Sequence, residues 1–215
     1  AAYARAIDQL ARVQRAPTGP FSPYDHAAYR REVDLLIDWY CPALALDVAR
    51  DEWSTIWDGL LGSMIERETG RVTVLRDYHA ENIMVTPSGE QVMIDFQDAL
   101  AGHPAYDLVS LLQDARRDVP ERLERAMLDR YRAAMPTGPH FLADYSLLGA
   151  QRNAKIIGIF SRLARRDGKP RYMDLVPRVW RLLERDLAHP ALAPLADWFD
   201  ANIPPSVRRL TGLAA

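Results

Sequence analysis

Residues 74–107 read VLRDYHAENIMVTPSGEQVMIDFQDALAGHPAYD, and this stretch decides the fold class. Two short apolar runs, Ile83-Met84-Val85 and Val92-Met93-Ile94, flank Thr86-Pro87-Ser88-Gly89-Glu90-Gln91, which is the punctuation of a β-hairpin. With a four-residue loop over 87–90, Val85 faces Val92, Met84 faces Met93, Ile83 faces Ile94 and Asn82 faces Asp95. Opposed residues of an antiparallel pair point to the same side, with Cβ atoms roughly 5 Å apart. This register gives Ile83, Val85, Val92 and Ile94 one shared core face and projects Asn82 and Asp95 together from the other. An amide oxygen and a carboxylate held that close suit one small hard cation. Mg²⁺ accepts such sparse protein ligation because substrate phosphates and water complete its octahedron. Asp77, five residues before Asn82 and in a loop, then stands beside the cation as a third oxygen donor or as a base.

A base, then an Asn, then an Asp after a short hairpin is the part list of kinase-type phosphoryl transfer. LRDYHAENIMV followed by MIDFQDALAGHPAYDLVSLL resembles the catalytic segment of the aminoglycoside phosphotransferase and choline kinase superfamily. That family's base, Asn and metal-binding Asp match Asp77, Asn82 and Asp95. Within it, DYHAEN and DFQDALAGHPAYDLVSLLQDARRDV are most similar to the bacterial anomeric kinases of N-acetylmuramate and N-acetylglucosamine. The resemblance implies a sugar kinase of cell-wall sugar recycling, with ATP as co-substrate, Mg²⁺ as cofactor and an amino sugar as acceptor. Two competing readings stand beside it: a kinase of aminoglycosides or other small alcohols, and a non-catalytic helical module that keeps the motif as a fold element.

Around the three central residues the assignments divide. Asp107 precedes the apolar run 108–112 and reads as a helix N-cap; the resemblance implies an Asp here that braces the catalytic loop through backbone amides, and the two readings are compatible. Arg76 can pair bidentately with a carboxylate such as the lactyl group of N-acetylmuramate, or form a surface salt bridge. His79 is either a hydrogen-bonded loop residue or a substrate contact, and Asp98 a second cation ligand or a partner of a sugar hydroxyl. The chain departs from the family twice: Leu75 stands where a His is frequent, and Asp95-Phe96-Gln97 replaces the Asp-Phe-Gly of protein kinases. His79-Ala80-Glu81 has the H-x-E form of zinc deaminases, but these need a later pair of cysteines, and the single cysteine is Cys41.

Composition narrows the function classes. A net charge of −2 gives no electrostatic case for nucleic acid, and one cysteine cannot form an internal disulfide. No apolar run reaches the roughly 18 residues of a spanning helix, so the expectation is a cytoplasmic protein without a membrane partner.

The rest of the chain is helical by periodicity: 4–15, 23–40 with Pro42 as its stop, 51–68, 106–117, 121–135, 142–164, 173–188 and 195–202. Trp53 and Trp57, four apart, belong to the core unless a ring is exposed to stack on a sugar. The terminal RRLTGLAA is expected to fray. Before Asp77 there is no lysine, no G-x-G-x-x-G and no five-strand pattern. The expected architecture is therefore mainly α with a small antiparallel hairpin, a kinase-like C-terminal lobe over 1–215 whose N-terminal nucleotide lobe is missing, and which is nearly inactive without it.

Overall fold

Apolar residues three and four apart in AYARAIDQLARVQR make α1, Ala2–Arg15, an amphipathic helix that buries Ala6, Ile7, Leu10, Ala11 and Gln14. The structure, a computed structural model, describes residues 2–68 and 70–208. Its backbone divides into two units, one formed by 1–25 and 68–145 and the other by 26–67 and 146–215.

In the first unit α1 packs on α6, Glu121–Ala134, which turns Leu128 and Tyr131 inward. The buried Gln14 side chain joins the Tyr131 hydroxyl and donates to the Pro104 carbonyl at 3.2 Å. Two antiparallel strand pairs lie beside this helix pair. β1, Val72–Val74, pairs with β4, Leu100–Gly102, in the register Val72 to Gly102 and Val74 to Leu100. β2, Ile83–Val85, pairs with β3, Gln91–Met93. A Cβ on Gly102 would come within 3.0 Å of the Tyr24 Cβ, so glycine is what lets the 22–24 segment lie against β4. There the Tyr24 amide donates to Ala101 O at 2.8 Å, and the Ala101 amide to Ser22 O at 2.9 Å. α5, Ala105–Leu112, follows β4 and is buried along its whole length. The first turn of α7, Phe141–Arg165, completes the unit.

The second unit is all helix. It contains α2, His26–Val33; a π-helical turn, Leu36–Tyr40; α3, Cys41–Ala43; and α4, Arg50–Glu66. The rest of α7 follows, then α8, Val176–Leu187; α9, Ala193–Asn202; and α10, Pro205–Arg208. Its core is aromatic: Trp53 lies 4.5 Å from Trp198 and 5.5 Å from Trp57 between ring centroids. Three of the buried indoles have a hydrogen-bond acceptor, Asp34 for Trp53, Ala49 O for Trp198 and the Tyr40 hydroxyl for Trp180. Trp53 and Trp57 are 0% exposed, which removes the sugar-stacking alternative for both.

The mainly helical architecture with a small antiparallel hairpin is the one expected, with four local differences. The 23–40 helix is broken after Val33 and resumes as the π turn, and Pro42 does not stop the chain but sits in the first turn of α3, where its missing N–H costs nothing. The 106–117 helix ends at Leu112; beyond it Asp114 Oδ1 accepts the Arg116 amide at 2.8 Å and turns the chain. The pair β1–β4 was not anticipated. Of the stretch expected to fray, all but Arg208 lies outside the described residues. No helix among the described residues is long and apolar enough to cross a membrane.

The hairpin register differs from expectation by one residue. Ile83 pairs with Met93, Met84 with Val92 and Val85 with Gln91. The loop has three residues rather than four: the Thr86 amide donates to Glu90 O at 2.9 Å, the Gly89 amide to Thr86 O at 2.8 Å, and Gly89 takes φ 84°. This is a tight turn followed by a left-handed residue, a closure that glycine makes inexpensive. A slip of one residue exchanges faces. Val85, Val92 and Ile94, expected in the core, are 57%, 45% and 45% exposed.

Candidate functional site

The chain leaves β1 through Leu75 and Arg76, and Arg76 adopts φ 68°, a left-handed conformation unfavourable for a residue with a side chain. Asp107, fully buried, holds that backbone: its Oδ2 accepts the Leu75 amide at 2.7 Å and its Oδ1 the Arg76 amide at 2.9 Å. The Ser110 hydroxyl donates to Arg76 O at 3.4 Å. Asp107 is the third residue of α5 and not its N-cap, correcting the capping assignment. The start of that helix is served instead by His103, whose Nδ1 accepts the Ala105 amide at 3.2 Å while Nε2 faces Asp144 Oδ2 at 3.5 Å.

Held this way, the next residue, Asp77, points an exposed side chain out of the loop. Its amide donates to Leu75 O at 2.8 Å, and its carbonyl accepts from the His79 amide at 2.9 Å and from Asn82 Nδ2 at 3.0 Å. Tyr78 anchors the loop from below by donating to Ala6 O at 2.8 Å. Burial first, and the Asp107 carboxylate second, push its phenol well above the ordinary range, so it stays a neutral donor.

Asn82 closes the loop, and its amide nitrogen also reaches Asp95 Oδ2 at 3.4 Å. The geometry that brings this pair together is not the one expected. Asn82 stands opposite Ile94, whose amide donates to Asn82 O at 3.0 Å, and Asp95 is one residue past the ladder. Asp95 takes φ 62°, and that left-handed step lets its carboxylate meet Asn82 despite the shifted register. Asp is among the few residues that tolerate this conformation at modest cost. Gln97 Nε2 donates to Asp95 Oδ1 at 2.7 Å, and the Ala99 amide to Phe96 O at 3.2 Å closes the following turn.

Asp77, Asn82 and Asp95 are therefore drawn together through the Asn82 side chain. The other candidates lie around them with different surroundings. Arg76 has its guanidinium carbon 5.6 Å from the centre of the Tyr24 ring, a cation–π contact with no signature in the spacing of the two residues. His79 is half-buried and precedes the 3₁₀ turn Ala80–Asn82, with its carbonyl accepting the Asn82 amide at 3.0 Å. Asp98 is exposed in the turn before Ala99 and is not joined to the other three by a hydrogen bond.

The donor set fits a magnesium-like cation. The Asn82 amide nitrogen is engaged with two oxygens, which leaves the carbonyl Oδ1 as the atom with acceptor capacity, beside a carboxylate that is exposed. No cluster of three or more His, Cys, Asp or Glu side chains suited to a metal exists among the described residues. A cation held by Asn82 and Asp95 would thus take most of its ligands from phosphate and water, as Mg²⁺ commonly does. Beside these two residues lies an exposed apolar stripe, Met84, Val92, Ile94 and Phe96, between 45% and 57% exposed.

The chain is similar to the N-acetylmuramate/N-acetylglucosamine kinase of Caulobacter vibrioides, with 42% identity over 96% of the chain and 62% of the relative. It is similar also to the protein of that name from Pseudomonas aeruginosa, with 40% identity over 89% and 60%. The chain spans about three fifths of the length of these curated relatives. Among solved structures, a choline/ethanolamine kinase family protein from Mesorhizobium loti superposes with a TM-score of 0.63 at 13% identity, covering 97% of the chain and 66% of that protein. The choline kinase LicA from Streptococcus pneumoniae gives 0.58 at 13% identity over 91% and 63%, so the fold is choline-kinase-like. The model of the phosphotransferase enzyme family matches residues 1–145, which contain Asp77, Asn82, Asp95 and Asp107 and two thirds of the sequence; the chain belongs to that family.

Proposed function

We propose that residues 1–215 are the catalytic and substrate-binding lobe of an ATP-dependent kinase that phosphorylates the anomeric hydroxyl of N-acetylmuramate or N-acetylglucosamine. The observation that carries this reading is the Asn82 amide spanning the Asp77 carbonyl and the Asp95 carboxylate. The names of the relatives at 42% and 40% identity support the acceptor class.

In this reading the exposed Asp77 carboxylate orients the sugar hydroxyl and accepts its proton as the oxygen bonds to the γ-phosphorus. The bond to the β–γ bridging oxygen breaks and ADP leaves. Asn82 Oδ1 and Asp95 would hold Mg²⁺, which would supply charge neutralisation on the phosphates. Asp107 keeps Leu75 and Arg76, and through them Asp77, in place. The exposed stripe of Met84, Val92, Ile94 and Phe96 offers apolar area for the nucleotide base. Arg76 pairs with the lactyl carboxylate, and His79 and Asp98 contact sugar hydroxyls. Because such catalysis is mostly positioning and charge neutralisation, a lobe with no lysine before Asp77 depends on the remaining length of its relatives to cover the phosphates. Use of ATP places the reaction in the cytoplasm.

The test is a panel of amino sugars and aminoglycosides with ATP and the full-length protein, following sugar 1-phosphate by ³¹P NMR. Transfer to an N-acetylated amino sugar, abolished in Asp77→Asn with nucleotide binding retained, is the expected result. Unchanged turnover in Asp77→Asn, or a preference for aminoglycosides, overturns it.

A further inference from the structure

We propose that Gln97 is a positioning residue that fixes the Asp95 carboxylate for one-oxygen presentation to the divalent cation. This rests on the reading that Asp95 is a cation ligand.

The two oxygens of Asp95 are loaded unequally. Oδ1 accepts a short bond of 2.7 Å from Gln97 Nε2, whereas Oδ2 has only the long 3.4 Å approach of Asn82 Nδ2. Oδ2 is therefore the oxygen with capacity to spare for a cation. Monodentate use of a carboxylate suits the octahedral demand of Mg²⁺, while bidentate use suits larger cations. The donor is an uncharged amide. It directs the carboxylate without cancelling the negative charge that the cation needs, as a lysine or arginine at the same place would.

The backbone requires such a restraint. Asp95 sits at φ 62°, past the last ladder pair and in an exposed segment where no packing fixes its side chain. A carboxylate there samples several rotamers unless something local holds it. Gln97, two residues on, reaches back across the step, and the Ala99 amide bonded to Phe96 O keeps the intervening turn closed. A glycine at position 97, as in Asp-Phe-Gly, supplies no such donor. The ligand's orientation is thus set by its own turn.

The experiment titrates Mn²⁺, as a paramagnetic reporter of the divalent site, into the full-length protein saturated with a non-hydrolysable ATP analogue that supplies the phosphate ligands, and reads protein-bound Mn²⁺ by electron paramagnetic resonance. Gln97→Met keeps the length of the side chain and removes the donor; because the residue is exposed, the thermal midpoint should stay put. The expected result is a Kd raised roughly tenfold or more in Gln97→Met, the lower end of what losing one support of a metal ligand costs, with Asp95→Asn abolishing binding. Mn²⁺ affinity equal to the unsubstituted chain in Gln97→Met, while Asp95→Asn abolishes binding, overturns the positioning role and leaves the cation reading intact. Absence of Mn²⁺ binding, or binding unaltered by Asp95→Asn, overturns the cation reading and this inference with it.

Discussion

Asp107 and Arg76 form the relationship on which the site's geometry rests: a buried carboxylate accepts the amide of a residue held at φ 68°, and a second bond from Leu75 makes the grip two-pronged. Replacing Asp107 by Ala leaves two N–H groups without their acceptor. Hydrogen bonds to a charged group are worth roughly 1.5–3 kcal/mol each, so Asp107→Ala should lower unfolding free energy by about 3 kcal/mol. Asp107→Asn, which keeps one acceptor oxygen, should lose about half of that. Urea denaturation of the two variants measures the difference; equal stability of both with the unsubstituted chain refutes the bracing role.

The hairpin loop carries a second expectation. Gly89 at φ 84° closes the three-residue turn, and left-handed backbone costs a residue with a Cβ about 1–2 kcal/mol. Gly89→Val should lose this amount and Gly89→Asn much less, because Asn tolerates the conformation. Comparable losses in the two variants would mean that the turn does not depend on its left-handed residue.

That same loop marks where the sequence stopped being legible. The helices were readable because their apolar spacing repeats over many residues, as in α1 and α4, and each repeat reinforces the last. A hairpin of three-residue strands has no such redundancy, and loops of three and four residues both fit Thr86-Pro87-Ser88-Gly89-Glu90-Gln91. The meeting of Asn82 with Asp95 was expected for a reason that does not hold, ladder opposition; a positive φ at Asp95 brings it about. Pairing of β1 with β4 is not legible in the sequence because Leu100-Ala101-Gly102 carries little strand propensity, and its contact with 22–24 is a long-range event helped by a glycine.

Arg76 leads to a prediction about selectivity. N-acetylmuramate carries a lactyl carboxylate that N-acetylglucosamine lacks, and a guanidinium is suited to it. Arg76→Gln in the full-length protein should raise the KM for N-acetylmuramate about tenfold and leave that for N-acetylglucosamine within about twofold, loss of one charge-assisted bond being worth roughly 1.5 kcal/mol. An equal rise for both sugars would assign Arg76 to the loop's structure, through its contact with Tyr24, and not to the substrate.

Alkaline pH should expose the buried thiol of the second unit. Cys41 is 1% exposed, and burial pushes its thiol up to about 12 from an ordinary value of 9.0. Below pH 9 the thiol is protonated in both folded and unfolded chains and contributes no pH dependence. Between about 9 and 12 the unfolded chain ionises and the folded one does not, so stability falls by up to roughly 1.4 kcal/mol per pH unit. Tyr40, Tyr78 and Tyr131, also raised by burial, add to the fall increasingly as pH approaches and passes their ordinary value of 10.0. The thiol is therefore the largest single contributor close to pH 9, and Cys41→Ala should reduce the slope of urea stability there, with the phenols' share remaining. A slope unchanged by the substitution would place the thiol in contact with solvent.

Gly158 gives the most severe prediction, because the contact is with backbone. An ideal Cβ built on it would lie 2.3 Å from the Leu35 carbonyl carbon and 2.6 Å from the Leu36 amide nitrogen, where the π turn Leu36–Tyr40 begins. A flexible side chain would yield to an added methyl; a peptide group between a helix and a π turn cannot move without displacing the turn. The general gain in helix propensity from glycine to alanine, about 1 kcal/mol, acts in the opposite direction. Overpacking of a closed interior typically costs 1–3 kcal/mol and more where the obstacle is rigid, so the net effect of Gly158→Ala should be a loss of about 2 kcal/mol or more. Gly59, on α4 with no atom within 4 Å of its ideal Cβ, supplies the control: Gly59→Ala should be stabilising. If both substitutions raise the melting temperature, α7 does not approach the 35–36 backbone this closely in solution.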